Sequence, residues 1–272
     1  MAAKPDRDTQ AGLRWLIEIG ADEAIDKVPR DRLAASPAAA IGHRSNPPPP
    51  VAPAGLRPIG PGAESQSDLI TDARARAAAC ETLADLARAV GEFDRCALKL
   101  TAKNTVFADG NPAAGLMLIG EAPGAEEDRK GIPFVGRAGQ LLDRMLAAIG
   151  RDRTGAYITN MLFWRPPGNR NPTAEEIALC APFVERHVVL VRPKVLVFVG
   201  AIAAKTLLDR SEGISRLRGR WFDYTAAGHD APFQATAIFH PAYLLRRPGQ
   251  KRETWRDLLA IKARLETDCS DP

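Results

Sequence analysis

The chain has 272 residues, 45% of them hydrophobic and 26% charged, which allows one domain of about 150–200 residues plus a tail or linker. No apolar run is long enough to span a bilayer, and Met1-Ala2-Ala3-Lys4-Pro5-Asp6 lacks a secretory apolar core, so a cytoplasmic protein is expected. A net charge of +4 permits nucleic-acid binding without demanding it, while Cys80, Cys96, Cys180 and Cys269 contain no C-x-x-C pair and so argue against a thiol redox motif.

Leu13, Leu16, Ile17, Ile19 and Ile25 mark an amphipathic helix within residues 1–33. Residues 34–67 are rich in Ala, Pro and Ser and include Pro47-Pro48-Pro49-Pro50. That composition cannot build a packed core and reads as a disordered or polyproline linker. The N-terminal helix is thus tethered and free to meet a protein partner. The main domain is expected over 68–272. It opens with a helix over 68–91 that buries Leu69, Ala73, Leu83, Leu86 and Val90.

Leu116-Met117-Leu118-Ile119 reads as a buried parallel strand. Gly120, Pro123 and Gly124 then form a tight loop beside Glu121, Glu126, Glu127 and Asp128, and from Gly139 the apolar spacing turns helical. A second strand, Ala156–Asn160, leads into the loop Trp164-Arg165-Pro166-Pro167-Gly168-Asn169-Arg170-Asn171-Pro172. Thr173 and Glu176 form a capping box for a helix to about Val191. A strand follows over Lys194–Val199, then a helix over Gly200–Leu208, and strands at Trp221–Tyr224 and Gln234–Phe239. A terminal helix over Arg252–Leu265 turns Trp255, Leu258, Leu259 and Ile261 inward. Alternating strands and helices imply an α/β fold, a mostly parallel sheet with helices on both faces, and no internal repeat.

The central loop is not a phosphate loop. It has neither a Gly-rich run ending in Lys-Ser/Thr nor G-x-G-x-x-G, and four acids would repel a pyrophosphate. Three strands end in polar residues, Glu121, Asn160 and His240, and strand ends of a parallel sheet share one edge, where ligands bind. Singly, each has a plainer reading: an incidental surface acid, a turn-forming Asn, a satisfied loop His. Together with Phe134, set between the breaks Gly131 and Gly136, they suit a flat nucleobase. An Asn amide matches the O4 and N3–H edge of uracil and mismatches cytosine. Phe134 would stack the ring. His240 would donate to O2 as charge grows there, and a carboxylate would position water or steady an oxocarbenium sugar. Arg165, Arg170, Arg246 and Arg247 are placed to meet phosphates or to form a solvated face. Tyr243, Leu244 and Leu245, on an expected loop, would wedge into a duplex or else cap the core.

Gly120-Glu121-Ala122-Pro123-Gly124, Pro133-Phe134-Val135-Gly136, Tyr157-Ile158-Thr159-Asn160, Arg165-Pro166-Pro167-Gly168-Asn169-Arg170 and His240-Pro241-Ala242-Tyr243-Leu244-Leu245-Arg246 resemble the family 4 uracil-DNA glycosylases, in order, from about Leu83 to Leu265. The resemblance implies a three-layer α/β/α sandwich. It implies a monomeric, monofunctional glycosylase that flips uracil from DNA, cleaves its N-glycosidic bond and initiates base excision repair; the rival reading is a non-catalytic binder of damaged or single-stranded DNA. It carries catalytic roles over to Glu121, Glu127 and His240 and uracil contacts to Ala122, Phe134 and Asn160; DNA contacts are expected at Arg165, Arg170, Tyr243, Leu244 and Arg246. Ala122 stands where the main uracil-DNA glycosylase family places a water-activating Asp.

The family usually carries a [4Fe–4S] cluster on four cysteines. Only Cys96 and Cys180 match the ligand positions; Phe93 and Trp164 occupy the other two, and Cys80 and Cys269 match none. Two thiolates do not supply the usual four ligands, so no cofactor is expected, with aromatic packing in the cluster's place.

Overall fold

A computed structural model describes residues 65–267. The expected N-terminal helix, the linker up to residue 64 and Cys269 lie outside the described residues. The chain enters through helix α1 (Gln66–Ala78), with Ser65 and Asp68 forming a capping box, and α2 (Leu83–Glu92), with Thr82 and Asp85 forming another. The single helix expected over 68–91 is therefore two. The second capping box satisfies its own free amides, so the chain can break and restart between Ala79 and Thr82.

Six strands form one sheet in the order β1-β3-β2-β4-β6-β5. Strands β2 (Leu116–Gly120), β3 (Tyr157–Asn160), β4 (Val195–Val199) and β6 (Phe233–Ile238) are mutually parallel. The two edges, β1 (Asp109–Gly110) and β5 (Trp221–Tyr224), are antiparallel to their neighbours. The two-residue β1 is too short to leave a periodic signal in the sequence. Strands β2 and β4 are buried throughout, which explains their unbroken apolar composition.

Their alternate residues feed two separate cores. Met117, Ile119, Leu196 and Phe198 pack with α1, α2 and α6 (Ala174–Val191) on one face. Leu116, Leu118, Val195 and Val197 pack with α5 (Arg137–Ala148) and α10 (Lys251–Thr267) on the other. Period-2 alternation thus sorts one strand between two helical layers, the α/β/α sandwich.

Three details differ from the sequence reading. The acidic loop contains a short helix α4 (Ala125–Lys130), after the four-residue α3 (Leu98–Thr101). In α10, Leu258 and Ile261 are buried but Trp255 and Leu259 face outward, because one helix face is narrower than the apolar spacing suggested. The segment after His240 is helix α9 (Pro241–Arg246), not a loop: Pro241 sits at its first position and the His240 side chain caps it. Helical spacing turns Leu244 into the second core, where it is 1% exposed. Leu244 therefore packs into the core rather than projecting from a loop. No helix among the described residues is long and apolar enough to cross a membrane.

Candidate active site

Register sets the site. Gly120, the last residue of β2, pairs with Asn160, the last of β3, so both strands deliver their ends at one level. A Cβ on Gly120 would lie 2.4 Å from Asn160 Oδ1 and 2.5 Å from the Phe134 ring. Only a glycine lets the amide and the ring close in on the strand end. Just past the end of β4 comes Gly200, with φ +100°, where a Cβ would lie 3.0 Å from that of His240. These close approaches gather residues from three strand ends and one loop around a cavity of about 560 Å³. Glu121, Ala122, Glu127, Phe134, Asn160 and His240 all line it, as do Arg170, Tyr243 and Arg246 nearer its mouth.

Asn160 is 2% exposed, yet its side-chain amide has no hydrogen-bond partner among the described residues. It faces the cavity with one acceptor and two donors unused. Phe134 is buried, its ring centroid 5.7 Å from that of His240, and its backbone holds φ +53°, a strained value for an aromatic residue. His240 Nδ1 accepts from the Ala242 amide at 3.1 Å, which leaves the proton of the neutral ring on Nε2. Burial pushes the His240 pKa down to about 4, with Arg246 adding to the shift and Glu127 opposing it. The imidazole is neutral near pH 7, a donor without a charge. Behind it, Phe239 packs on Tyr243 at 5.0 Å and lies under the Arg218 guanidinium, which forks onto Asp257. Burial raises the pKa of the half-buried Glu121 carboxyl.

The neighbouring acids Glu127 and Asp128 point in opposite directions. Glu127 Oε1 accepts from the Val135 and Gly136 amides at 2.9 and 2.8 Å, and Oε2 from the Gly124 amide at 3.1 Å. Three backbone donors occupy it, so its geometry is that of a clasp on the loop carrying Phe134. Asp128 Oδ1 takes the Lys103 and Asn104 amides. Arg170 forks onto Glu176 at 2.9 and 2.5 Å, so its charge is already matched. Arg165 is not a cavity residue; its Nε donates to Asn169 Oδ1 at 2.7 Å. Arg246 is exposed and has no ion pair among the described residues. Sequence reading missed Arg153, which donates to the Pro133 and Phe134 carbonyls from a 3-10 turn before β3. Nothing local announces such a contact.

A profile of the uracil DNA glycosylase superfamily matches residues 107–259, the span that holds every cavity residue. The chain belongs to this superfamily, within family 4. It is 40% identical over 185 residues to a type-4 uracil-DNA glycosylase of Archaeoglobus fulgidus, covering 66% of this chain and 92% of that protein. It is 38% identical over 169 residues to the type-4 enzyme of Pyrobaculum aerophilum, covering 61% and 85%. With the type-4 enzyme of Thermotoga maritima it shares 40% identity over 152 residues, covering 56% and 77%.

The iron–sulfur cluster usual in family 4 does not fit the residues present. Phe93, Cys96, Trp164 and Cys180 are each at most 1% exposed and share one core. The Phe93 ring meets Phe183 edge-on at 5.1 Å, and Trp164 Nε1 donates to Thr105 Oγ1 at 3.0 Å. Cys180 donates to Cys96, and that shared hydrogen bond, with burial, holds the Cys180 thiol well above its ordinary pKa while it lowers that of Cys96. Among the described residues no three or more His, Cys, Asp or Glu side chains are grouped to hold a metal ion.

Proposed function

We propose that the protein excises uracil from DNA, hydrolysing the N-glycosidic bond of a flipped nucleotide and so initiating base excision repair. One observation carries the reading: the buried, unpartnered Asn160 amide faces a cavity that also holds a fixed aromatic ring and a neutral imidazole donor. The amide opens onto the cavity with its donors and acceptor unpaired by protein, and the uracil O4 and N3–H edge completes it. Phe134 stacks the base. As the C1′–N1 bond breaks, its electron pair leaves with uracil, and His240 Nε2–H donates to the charge growing on O2. Water adds its oxygen to C1′, and the proton it releases passes through solvent to the departing uracil anion. Ala122 offers only a methyl group, so the adjacent Glu121 carboxylate is the acid that orients this water and steadies the sugar cation. Glu127 acts one step back, holding the loop rather than touching substrate. Arg246 and Tyr243 meet the DNA at the mouth, and Arg170 does so by releasing Glu176.

No lysine lines the cavity among the described residues, which supports a monofunctional enzyme without a Schiff base. We further infer that the protein folds and acts without iron, on the strength of the aromatic side chains at two ligand positions.

The test is incubation with a uracil-containing oligonucleotide followed by alkali. Scission is expected, and its absence on every deaminated base at high enzyme overturns the reading. Asn160→Ala and His240→Ala should each cut the excision rate about 10²–10³-fold while leaving DNA affinity within a few-fold. Variants that excise at the wild-type rate would make the constellation incidental.

A further inference from the structure

Phe134 can serve as a platform only if its backbone stays in a conformation it does not favour. The φ of +53° at an aromatic residue costs on the order of a kcal/mol or more, and the surroundings must impose it. From the amide side, Glu127 takes the Val135 and Gly136 N–H groups. From the carbonyl side, one guanidinium does the rest. Arg153 Nη1 donates to the Pro133 carbonyl at 3.1 Å and Nη2 donates to the Phe134 carbonyl. The same guanidinium is fixed by two carboxylates: Nη1 on Asp109 at 2.5 Å, from edge strand β1, and Nε on Asp143 at 2.9 Å, from α5. Helix α5 meets the loop closely, because Gly139 leaves space for the Phe134 carbonyl, which a Cβ there would approach to 1.6 Å.

We propose that Arg153 is a positioning residue for base excision: its guanidinium, anchored by Asp109 and Asp143, locks the strained Phe134 backbone so that the ring is preset at the cavity. This rests on the excision reading above. The arrangement needs arginine, since a single planar fork engages four groups in fixed directions and a lysine ammonium does not. It needs both carboxylates, which hold the fork at an angle set by two elements distant in sequence. Arg153 does not itself line the cavity, and the lining residue it holds is Phe134, so its effect on the reaction passes through Phe134.

The experiment is single-turnover excision from a uracil-containing duplex, across enzyme concentration, with the full chain. Arg153→Ala should lower the saturating rate about 10²-fold, the scale of an ångström-level misplacement, with the half-saturating concentration changed only a few-fold. Arg153→Lys should restore only part of the rate. On a Phe134→Ala background the same Arg153→Ala change should cost less than about two-fold, because residues acting through one group are not additive. An undiminished further loss on that background overturns the proposal. If Arg153→Ala does not fold, Asp143→Asn and Asp109→Asn take its place, each with a loss of about ten-fold that also disappears without the Phe134 ring. Hydrogen exchange of the Phe134, Val135 and Gly136 amides reads the clamp without reference to activity, and exchange should quicken in Arg153→Ala. Unchanged exchange defeats the clamp alone; a wild type that excises nothing, with exchange altered as expected, defeats the functional reading alone.

Discussion

Two buried regions of this protein treat their polar groups in opposite ways. Around Phe93 and Trp164, the indole N–H finds Thr105, the two thiols find each other, and the aromatic rings meet edge-on. At the sheet edge, the Asn160 amide and the Glu121 carboxylate are left without protein partners. Burying an unsatisfied polar group costs roughly 1–3 kcal/mol; the packed core carries that cost at one atom, His187 Nδ1, whereas the unpaired Asn160 and Glu121 groups open onto the cavity, where a ligand can complete them. The contrast separates packing from chemistry within one domain. It also assigns different penalties to substitutions in each.

The largest stability effects belong to the packed region. Trp164→Ala or Phe93→Ala should lower the unfolding free energy by about 3–5 kcal/mol, read by denaturant titration, because each leaves a large void. Little loss would show that the aromatic side chains do not fill that space. Gly120→Ala should do the reverse, with stability reduced by only about 1–3 kcal/mol of overpacking but excision falling about 10²-fold, since the added methyl meets the Asn160 amide and the Phe134 ring. A melt that falls while excision holds would dissolve the distinction between the regions.

Acid should reach both regions through their histidines. His187, on α6, is wholly buried, with Nε2 on the Tyr157 hydroxyl at 2.8 Å and Nδ1 unpartnered, and burial pushes its pKa down to about 3. His240 lies at about 4. Both values are below the ordinary 6.5, so between pH 6.5 and the folded values the unfolded chain binds more protons. Stability then falls as pH drops, by roughly 1.4 kcal/mol per pH unit for each histidine. Asp257, raised to about 6 chiefly by burial, works the other way between pH 6 and its ordinary 3.8, so the quantity to measure is the change in slope on His187→Phe. A flatter curve is expected; an identical one removes His187 from the account. Excision should decline as pH falls through the raised Glu121 value, while His240 remains neutral.

The smallest effect is expected for Cys96→Ala with Cys180→Ala. As small apolar core residues they should cost about 1–2 kcal/mol together and leave excision within about two-fold. Purified protein should be colourless. A brown preparation holding about four irons per chain, with activity lost on chelation, would overturn cluster-free folding and make the two cysteines essential.

What the sequence determined by itself is what repeats at short range. Unbroken apolar runs specify β2 and β4, the Thr173/Glu176 capping box specifies the start of α6, and polar residues at strand ends fall on one edge because parallel strands must align; the capping box that starts α2 escapes this reading, which expects one helix where there are two. That Phe93 and Trp164 stand at two positions where the family usually carries cysteine is likewise a matter of identity at a position, read through the resemblance. Tertiary structure alone decided which of these residues face the cavity. Leu244 turned inward because Pro241 and the His240 cap began a helix there, and helical spacing fixed its direction. Glu127 became a clasp because three amides from two loop segments reached it first. Arg153 met Phe134 only through folding that joined residues 19 apart, with anchors 10 and 44 positions away. Periodicity and capping are encoded within a few residues, whereas convergence of distant side chains depends on strand order and register, which no local pattern carries.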